Sequence, residues 1–405
     1  MSNTVVGLDI GTTKVTAVVG EMTDENHTRI IGVGSTPSRG MEKGMVVNVE
    51  EASECIQLAI DQAQRMADLA IGYVYIGIAG KHIQSFNSQG SLSFPSEEQI
   101  RKDHVEQVLM EAQQVPVPDG KEIIHNIVRD YQVDEEKGIQ DPVGMLGKEL
   151  KANVHIVTGA VSAIHNLVQC AHNVDLDVAD VILQPLASSQ AVLTEDEKKM
   201  GVVLVDIGGG TTDIAVFCDG KLLHSGVIPV GGNHFTSDLT YFLRCPFEEG
   251  ERLKIRYGSL LSELVDKNLS LNVETVGKDS KREVEVDSLV EVLQPRGEEL
   301  VGLAIREIQE VVQDFSKFNA GIVLTGGGSQ IRGMDKMFHQ ATELPVRIGR
   351  TRNVSGLVEK VSSPQFATAV GLIYYGYKNH ELIMRSSMNE SWWDRMVLKV
   401  REWFS

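Results

Sequence analysis

Hydrophobic and polar positions along this chain fall into short blocks rather than one long period, and two of the blocks are nearly the same. The first is Val5-Val6-Gly7-Leu8-Asp9-Ile10, which runs into Gly11-Thr12-Thr13-Lys14 and resumes as Val15-Thr16-Ala17-Val18-Val19. Apolar and β-branched runs on either side of a Gly/Thr signal predict a strand, a tight turn and a returning strand. In the second half the pattern returns as Val202-Val203-Leu204-Val205-Asp206-Ile207, Gly208-Gly209-Gly210-Thr211-Thr212-Asp213 and Ile214-Ala215-Val216-Phe217. Self-similarity at half the chain length predicts two related domains facing one another.

Other blocks fill the frame. Ala320 to Ile331 reads as a buried strand ending in Gly326-Gly327-Gly328, where the backbone can approach a flat ring or a phosphate closely. Leu183-Gln184-Pro185-Leu186-Ala187-Ser188-Ser189-Gln190-Ala191 places Pro at a helix N-terminus ahead of small residues that permit tight helix packing. Between residues 84 and 162, Ser96-Glu97-Glu98-Gln99 reads as a capping box opening a helix through Gln114. Pro116 to Gly120 breaks that helix, and Glu122 to Val133 and Leu150 to Val157 alternate as strands, so the segment predicts a compact α+β insertion. His125 and His155 sit within those strands without ligand spacing, which favours structural or exposed histidines over a metal site. Asn268 to Leu271, Val273 to Val276 and Glu283 to Val286 read as strands around the polar turn Gly277 to Lys281.

Charge and composition narrow the function. With 405 residues, 42% hydrophobic and 23% charged, the chain supports two domains and a sizeable core, which excludes global disorder. A net charge of −18 argues against nucleic acid as a partner, because phosphate backbones are bound through clustered Lys and Arg. Cys55, Cys170, Cys218 and Cys245 are scattered without C-x-x-C spacing and read as reduced thiols. The start lacks the basic and apolar regions of a signal peptide, and no apolar run approaches the roughly 18 residues of a membrane span, so a cytoplasmic protein is expected.

The paired turns carry the candidate chemistry. Glycines let bare N–H groups meet a phosphate, Thr hydroxyls add donors, and Lys14 would neutralise phosphate charge. Asp9 and Asp206 each end an apolar strand, placed to hold a hydrated Mg²⁺, which needs only one or two carboxylates. One such turn reads as readily as an ordinary glycine hairpin; a second copy shifts the balance toward phosphate.

Taken in order, residues 9–14, 184–192, 206–213, 326–328 and the helix Phe366 to Leu372 resemble the phosphate 1, connect 1, phosphate 2, adenosine and connect 2 motifs of the actin, sugar-kinase and heat-shock ATPase superfamily, over residues 1–380. The resemblance implies an α/β, actin-like (ribonuclease H-like) two-domain fold with an interdomain cleft for ATP and Mg²⁺. It implies nucleotide contacts from Gly11, Thr12, Thr13, Lys14, Gly208, Gly209, Gly210, Thr211, Thr212, Gly326, Gly327 and Gly328, with Asp9 and Asp206 on the metal through water. Glu251 and Lys254, in Gly250-Glu251-Arg252-Leu253-Lys254, would meet ribose and adenine, unless that stretch is only a solvated helix face. Gln184 and Asp206 take the catalytic positions. Gln184 can orient water but has no proton to exchange near neutral pH, so ATPase activity is expected to be slow at most.

Within the superfamily, "EIIHNIVRDYQVD", "GIQDPVGMLGKELKANVHIVTG" and "VDIGGGTTDIAVF" resemble the FtsA family of bacterial cell-division proteins. By that resemblance residues 1–83, 163–199 and 355–380 form the first large subdomain, and 84–162 an inserted SHS2-like subdomain (1C-type) that meets filament neighbours and other division proteins. Residues 200–232 and 298–354 form the second large subdomain, and 233–297 the small one that receives the C-terminal peptide of the tubulin-like FtsZ. Residues 381–390 would be a flexible linker and 391–405 a membrane-targeting helix.

The end of the chain supports the last point. All three tryptophans lie in "SWWDRMVLKVREWF", and on a helix Trp392, Trp393, Met396, Val397, Val400, Trp403 and Phe404 share one arc of about 140°. Asp394, Arg395, Lys399, Arg401 and Glu402 make this end slightly basic on an acidic chain, which suits a membrane interface better than docking on the protein's own surface. The expectation is an ATP-binding, filament-forming peripheral protein on the cytoplasmic face of the membrane at the division septum, anchoring the FtsZ ring. A small-molecule (sugar or polyol) kinase and a pilus-assembly actin-like protein are the alternatives.

Overall fold

The duplicated pattern is a duplication of topology. Strand Thr4–Ile10 pairs antiparallel with Lys14–Asp24, and that strand with His27–Pro37; Tyr73–Ile78 and Asp177–Leu183 extend the sheet in parallel on the other side. The second half repeats this with Val202–Ile207, Thr212–Cys218 and Lys221–Ile228, then Ile322–Thr325 and Val346–Ile348. These relations come from a computed structural model that describes residues 4–24, 27–276 and 281–385. Every residue of Val202–Ile207 is buried, as a strand covered on both faces requires.

Two helices join the lobes. Gln184–Val192 opens with Pro185 in its first turn, and Ala367–Arg385 packs across it. The approach needs glycine: a Cβ at Gly371 would stand 1.8 Å from the carbonyl oxygen of Ala187. Around them one apolar cluster takes Val5, Val18 and Tyr75 from the first lobe and Leu204, Ala215 and Val323 from the second, so the lobes share a core beneath their cleft.

The insertion is a four-stranded sheet in the order Gln84–Gln99, Leu146–Ala160, Lys121–Val133, Glu136–Ile139, with helix Lys102–Gln113 against it. Here the expected capping box gives way. Residues 96–99 belong to the long first strand, and the helix opens at Lys102. Ladder pairing of Glu98 and Gln99 with Gly147 and Leu146, followed by burial of Ile100, outweighs the local cap. The insertion also touches the second lobe: Ser85 Oγ donates to the Ser225 carbonyl at 2.6 Å. Fully buried His155 donates through Nδ1 to Asn87 Oδ1 (2.8 Å) and accepts through Nε2 from Ser225 Oγ (3.0 Å). His125 Nε2 accepts the Leu183 amide at 3.0 Å, so both histidines have structural partners.

In the second lobe the hairpin expected around 277–281 is present but as two strands rather than three: Ser270–Glu274 joins the first two expected blocks, Lys281 pairs with Glu274 instead of turning, Leu271 stands opposite Val284, and Val286 opens the next helix; residues 277–280 lie outside the described residues. Helix Val286–Gln309 runs unbroken across the boundary expected at 297, with Pro295 inside it. The last helix likewise continues to Arg385, into the segment expected to be a linker, because Glu-Leu-Ile-Met-Arg at 381–385 is a helix-favouring run. The tail expected to bind membrane, Trp392 to Phe404, lies outside the described residues. Among the described residues no helix is long and apolar enough to cross a membrane.

Candidate functional site

Each hairpin turn is closed by the same bond: Gly11 N–H donates to Lys14 O at 3.0 Å, and Gly208 N–H to Thr211 O at 2.9 Å. The two turns meet head-on. A Cβ at Gly209 would lie 2.3 Å from Thr13 Cγ2, and one at Gly210 would lie 2.7 Å from Thr12 Oγ1. Only glycine lets the second turn close over the first. Above them opens a cleft of about 550 Å³ lined by both turns, Asp9, Gln184, Asp206, Glu251, Lys254 and Gly326 to Gly328.

Thr212 is the expected contact that does not join them. It is the first residue of the returning strand, and its buried hydroxyl donates to Val230 O at 2.8 Å. The glycine trio divides by role. Gly326 has φ +78° and a Cβ there would sit 2.4 Å from Asp206 Oδ1, and one at Gly328 would strike Ile207, while one at Gly327 would meet only Gln365 Cβ at an ordinary 3.8 Å.

Three carboxylates crowd the floor. Asp206 Oδ2 accepts from Ser188 Oγ (2.6 Å) and Thr368 Oγ1 (3.3 Å), and Asp9 Oδ1 accepts from Gln184 Nε2 (3.2 Å). Asp213 stands directly across the ladder from Asp206; its Oδ2 accepts from Thr211 Oγ1 at 3.2 Å, and its buried Oδ1 has no partner. Burial raises all three above the usual carboxylate range. Asp9 reaches about 7, with Lys14 opposing the rise and Asp206 adding to it, and Asp213 is pushed up further by the charges of Asp206 and Asp9. Lys14 shows the complement: burial lowers its ammonium to about 8 despite Asp9, and its Nζ makes no hydrogen bond.

Buried carboxylates facing a buried ammonium, each with unused hydrogen-bonding capacity, fit phosphates and a cation. Among the described residues no three His, Cys, Asp or Glu side chains converge to ligate a metal directly. Asp9 and Asp206 are suited to reach a hydrated cation such as Mg²⁺, which keeps its waters. At the far end Lys254 Nζ lies 2.6 Å from Glu251 Oε2 and donates to Gly232 O (3.0 Å) and Thr236 Oγ1 (2.9 Å), while exposed Ile255 adds an apolar wall.

Several lining residues escaped the sequence reading. Asp213 was detectable, since it follows Thr-Thr in the second turn as Lys14 does in the first. Gly44, whose amide donates to Thr12 Oγ1 at 3.2 Å, and Gly232 and Asn233, whose amides donate to Gly208 and Gly209, arrive from distant segments without a local signal.

Comparison with known proteins agrees with this geometry. Residues 203–371 match the family described as "Cell division protein FtsA", and residues 80–158 match the "SHS2 domain inserted in FTSA". The cell division protein FtsA of Pseudomonas aeruginosa is 42% identical over 387 residues, covering 96% of this chain and 92% of that protein. That of Escherichia coli K12 is 42% identical, covering 93% and 91%. Among solved structures, the PilM-PilN type IV pilus biogenesis complex aligns with a TM-score of 0.66 at 17% identity, covering 92% of this chain and 98% of that chain. MreB 5 of Spiroplasma citri bound to AMPPNP aligns at 0.59 and 16%, covering 96% and 100%. At such identities the structural likeness shows the actin-like fold alone; the sequence relationships show more, and the chain belongs to the FtsA family of bacterial cell-division proteins.

Proposed function

We propose that this chain binds ATP with Mg²⁺ in the interlobe cleft, assembles into actin-like filaments on the cytoplasmic face of the membrane at the septum, and ties the FtsZ ring to that membrane. The observation that carries this reading is the pair of facing glycine turns over the buried set Asp9, Lys14, Asp206 and Asp213, whose charges call for phosphate and cation.

Gly11 to Thr13 and Gly208 to Thr211 would cradle the phosphates, Lys14 would meet their charge, and Gly327 would lie against the base. Glu251 and Lys254 would border the ribose and adenine. When bound, Mg²⁺ would neutralise phosphate charge through its water shell, with Asp9 and Asp206 as outer partners. Gln184, held on Asp9, could orient a water but not deprotonate it, so ATP would act chiefly as a conformational ligand that closes the lobes. Segment 233–297 would receive the FtsZ C-terminal peptide, the insertion would meet other division proteins, and residues 391–405 would lie in the lipid interface. One short amphipathic helix binds weakly, and filament formation would supply avidity. Membership of the cell-division family favours this reading over a small-molecule kinase or a pilus-assembly protein.

The test is liposome co-sedimentation with ATP and Mg²⁺, comparing the full chain with one ending at Glu390. Binding and vesicle-bound filaments should be lost on truncation. Equal sedimentation of both would refute the membrane role of the tail.

A further inference from the structure

The Lys14 ammonium sits beside an aromatic ring rather than a hydrogen-bond acceptor. Its Nζ is closed off from solvent without a hydrogen-bond partner, and the centroid of the Phe366 ring lies 3.8 Å away. A cation over an aromatic face is held by the ring quadrupole, most strongly where water is excluded.

The ring is carried on backbone fixed to the other lobe. Pro364–Phe366 forms a single 3-10 turn in which Phe366 N–H donates to Ser363 O at 3.0 Å. The Pro364 carbonyl accepts from Gly326 N (3.3 Å) and Thr325 Oγ1 (3.3 Å), beside the glycine trio of the second lobe. Two residues beyond Phe366, Thr368 donates to Asp206. The start of the last helix thus touches the charged group of each phosphate turn. Phe366 is half-buried, and its outer side borders a groove with Val33, Met66 and Lys360.

We propose that Phe366 is a positioning residue for the nucleotide phosphates, its ring holding the desolvated Lys14 ammonium in the cleft. The choice of a ring has a physical reason. A carboxylate at this place would take one or more of the three N–H donors and cancel the charge, and phosphate would have to break that pair. An aromatic face stabilises the cation and leaves its donors for the incoming anion. The inference rests on the reading that the cleft binds ATP.

Calorimetric titration of the full chain with Mg²⁺-ATP and with adenosine tests it, using wild type, Phe366→Leu, Phe366→Met and Phe366→Tyr, each first shown to unfold cooperatively. Loss of a desolvated cation–π contact should weaken ATP in the Leu and Met variants by on the order of tenfold to thirtyfold. Adenosine should stay within about twofold of wild type, because it carries no charge for Lys14 to meet. Phe366→Tyr, which keeps the ring face, should restore ATP affinity to near wild type. The inference is overturned if Leu and Met bind ATP as wild type does, if adenosine weakens in parallel, or if Tyr fares no better than Leu. A wild-type chain that binds adenosine and ATP equally, or neither, would overturn the ATP reading itself.

Discussion

Replacing Asp9 by Asn should stabilise the nucleotide-free protein at pH 8 while weakening Mg²⁺-dependent ATP binding. Asp9 is buried, and its carboxyl is raised from 3.8 to about 7, first by burial, with Asp206 adding to the rise and Lys14 opposing it. A carboxyl raised on folding prefers to be protonated in the folded chain. Its contribution is therefore a cost, absent below the unfolded value, growing as pH rises through the folded value and constant beyond it. A rise from 3.8 to about 7 corresponds to about 4 kcal/mol above pH 7 and to roughly half that or less at pH 5. Asn keeps the acceptor for Gln184 Nε2 and carries no charge at any pH. Urea unfolding of wild type and Asp9→Asn, in chelator and without nucleotide, should show a stability gap that widens by roughly 2–3 kcal/mol between pH 5 and pH 8. A gap independent of pH, or a variant less stable than wild type at pH 8, would refute the argument that this carboxylate is held against its own preference for the sake of a ligand.

Three further outcomes follow from the same geometry. Gly371→Ala places a methyl group 1.8 Å from the Ala187 carbonyl oxygen, so the two linking helices must separate, at a cost of about 1–3 kcal/mol or more, read as a lowered thermal midpoint. His155→Leu removes a buried hydrogen bond to Ser225 Oγ and a part-buried one to Asn87 Oδ1, leaving the buried Ser225 hydroxyl without its acceptor, at a cost of about 1–3 kcal/mol at pH 7. Burial, helped by the charges of His224, Arg129 and His125, lowers His155 from 6.5 to about 3, so its contribution is present above the unfolded value and is lost as pH falls below it; the variant should lack that acid-sensitive component in urea midpoints between pH 7 and pH 4. Ending the chain at Glu390 should abolish liposome co-sedimentation and leave nucleotide binding unchanged, since the cleft residues lie before that point.

Much of the site could be read from residue order because a phosphate turn is a local device. Asp9 with Gly11 to Lys14, and Asp206 with Gly208 to Thr211, need only a strand, a few small residues and a returning strand to face their donors one way. Thr212 shows the limit of that argument. It belongs to the same string, but strand alternation turns its hydroxyl to Val230 instead of the cleft. The capping signal at 96–99 failed for a related reason, since ladder partners at 146 and 147, absent from any local window, decided between helix and strand.

Residue order alone is enough to show that the chain is built twice over, where each copy presents a phosphate-shaped turn, and which small residues let helices and backbone close around it. These are properties of contiguous residues, set by turn chemistry and apolar periodicity. Packing in three dimensions sets the rest: Ser188 and Thr368 hold the Asp206 carboxylate from two different helices, His155 ties the insertion to the second lobe, and Phe366 covers Lys14. Each of those relations joins side chains far apart in the chain, and their meeting depends on how the sheets and linking helices pack, which no local pattern encodes.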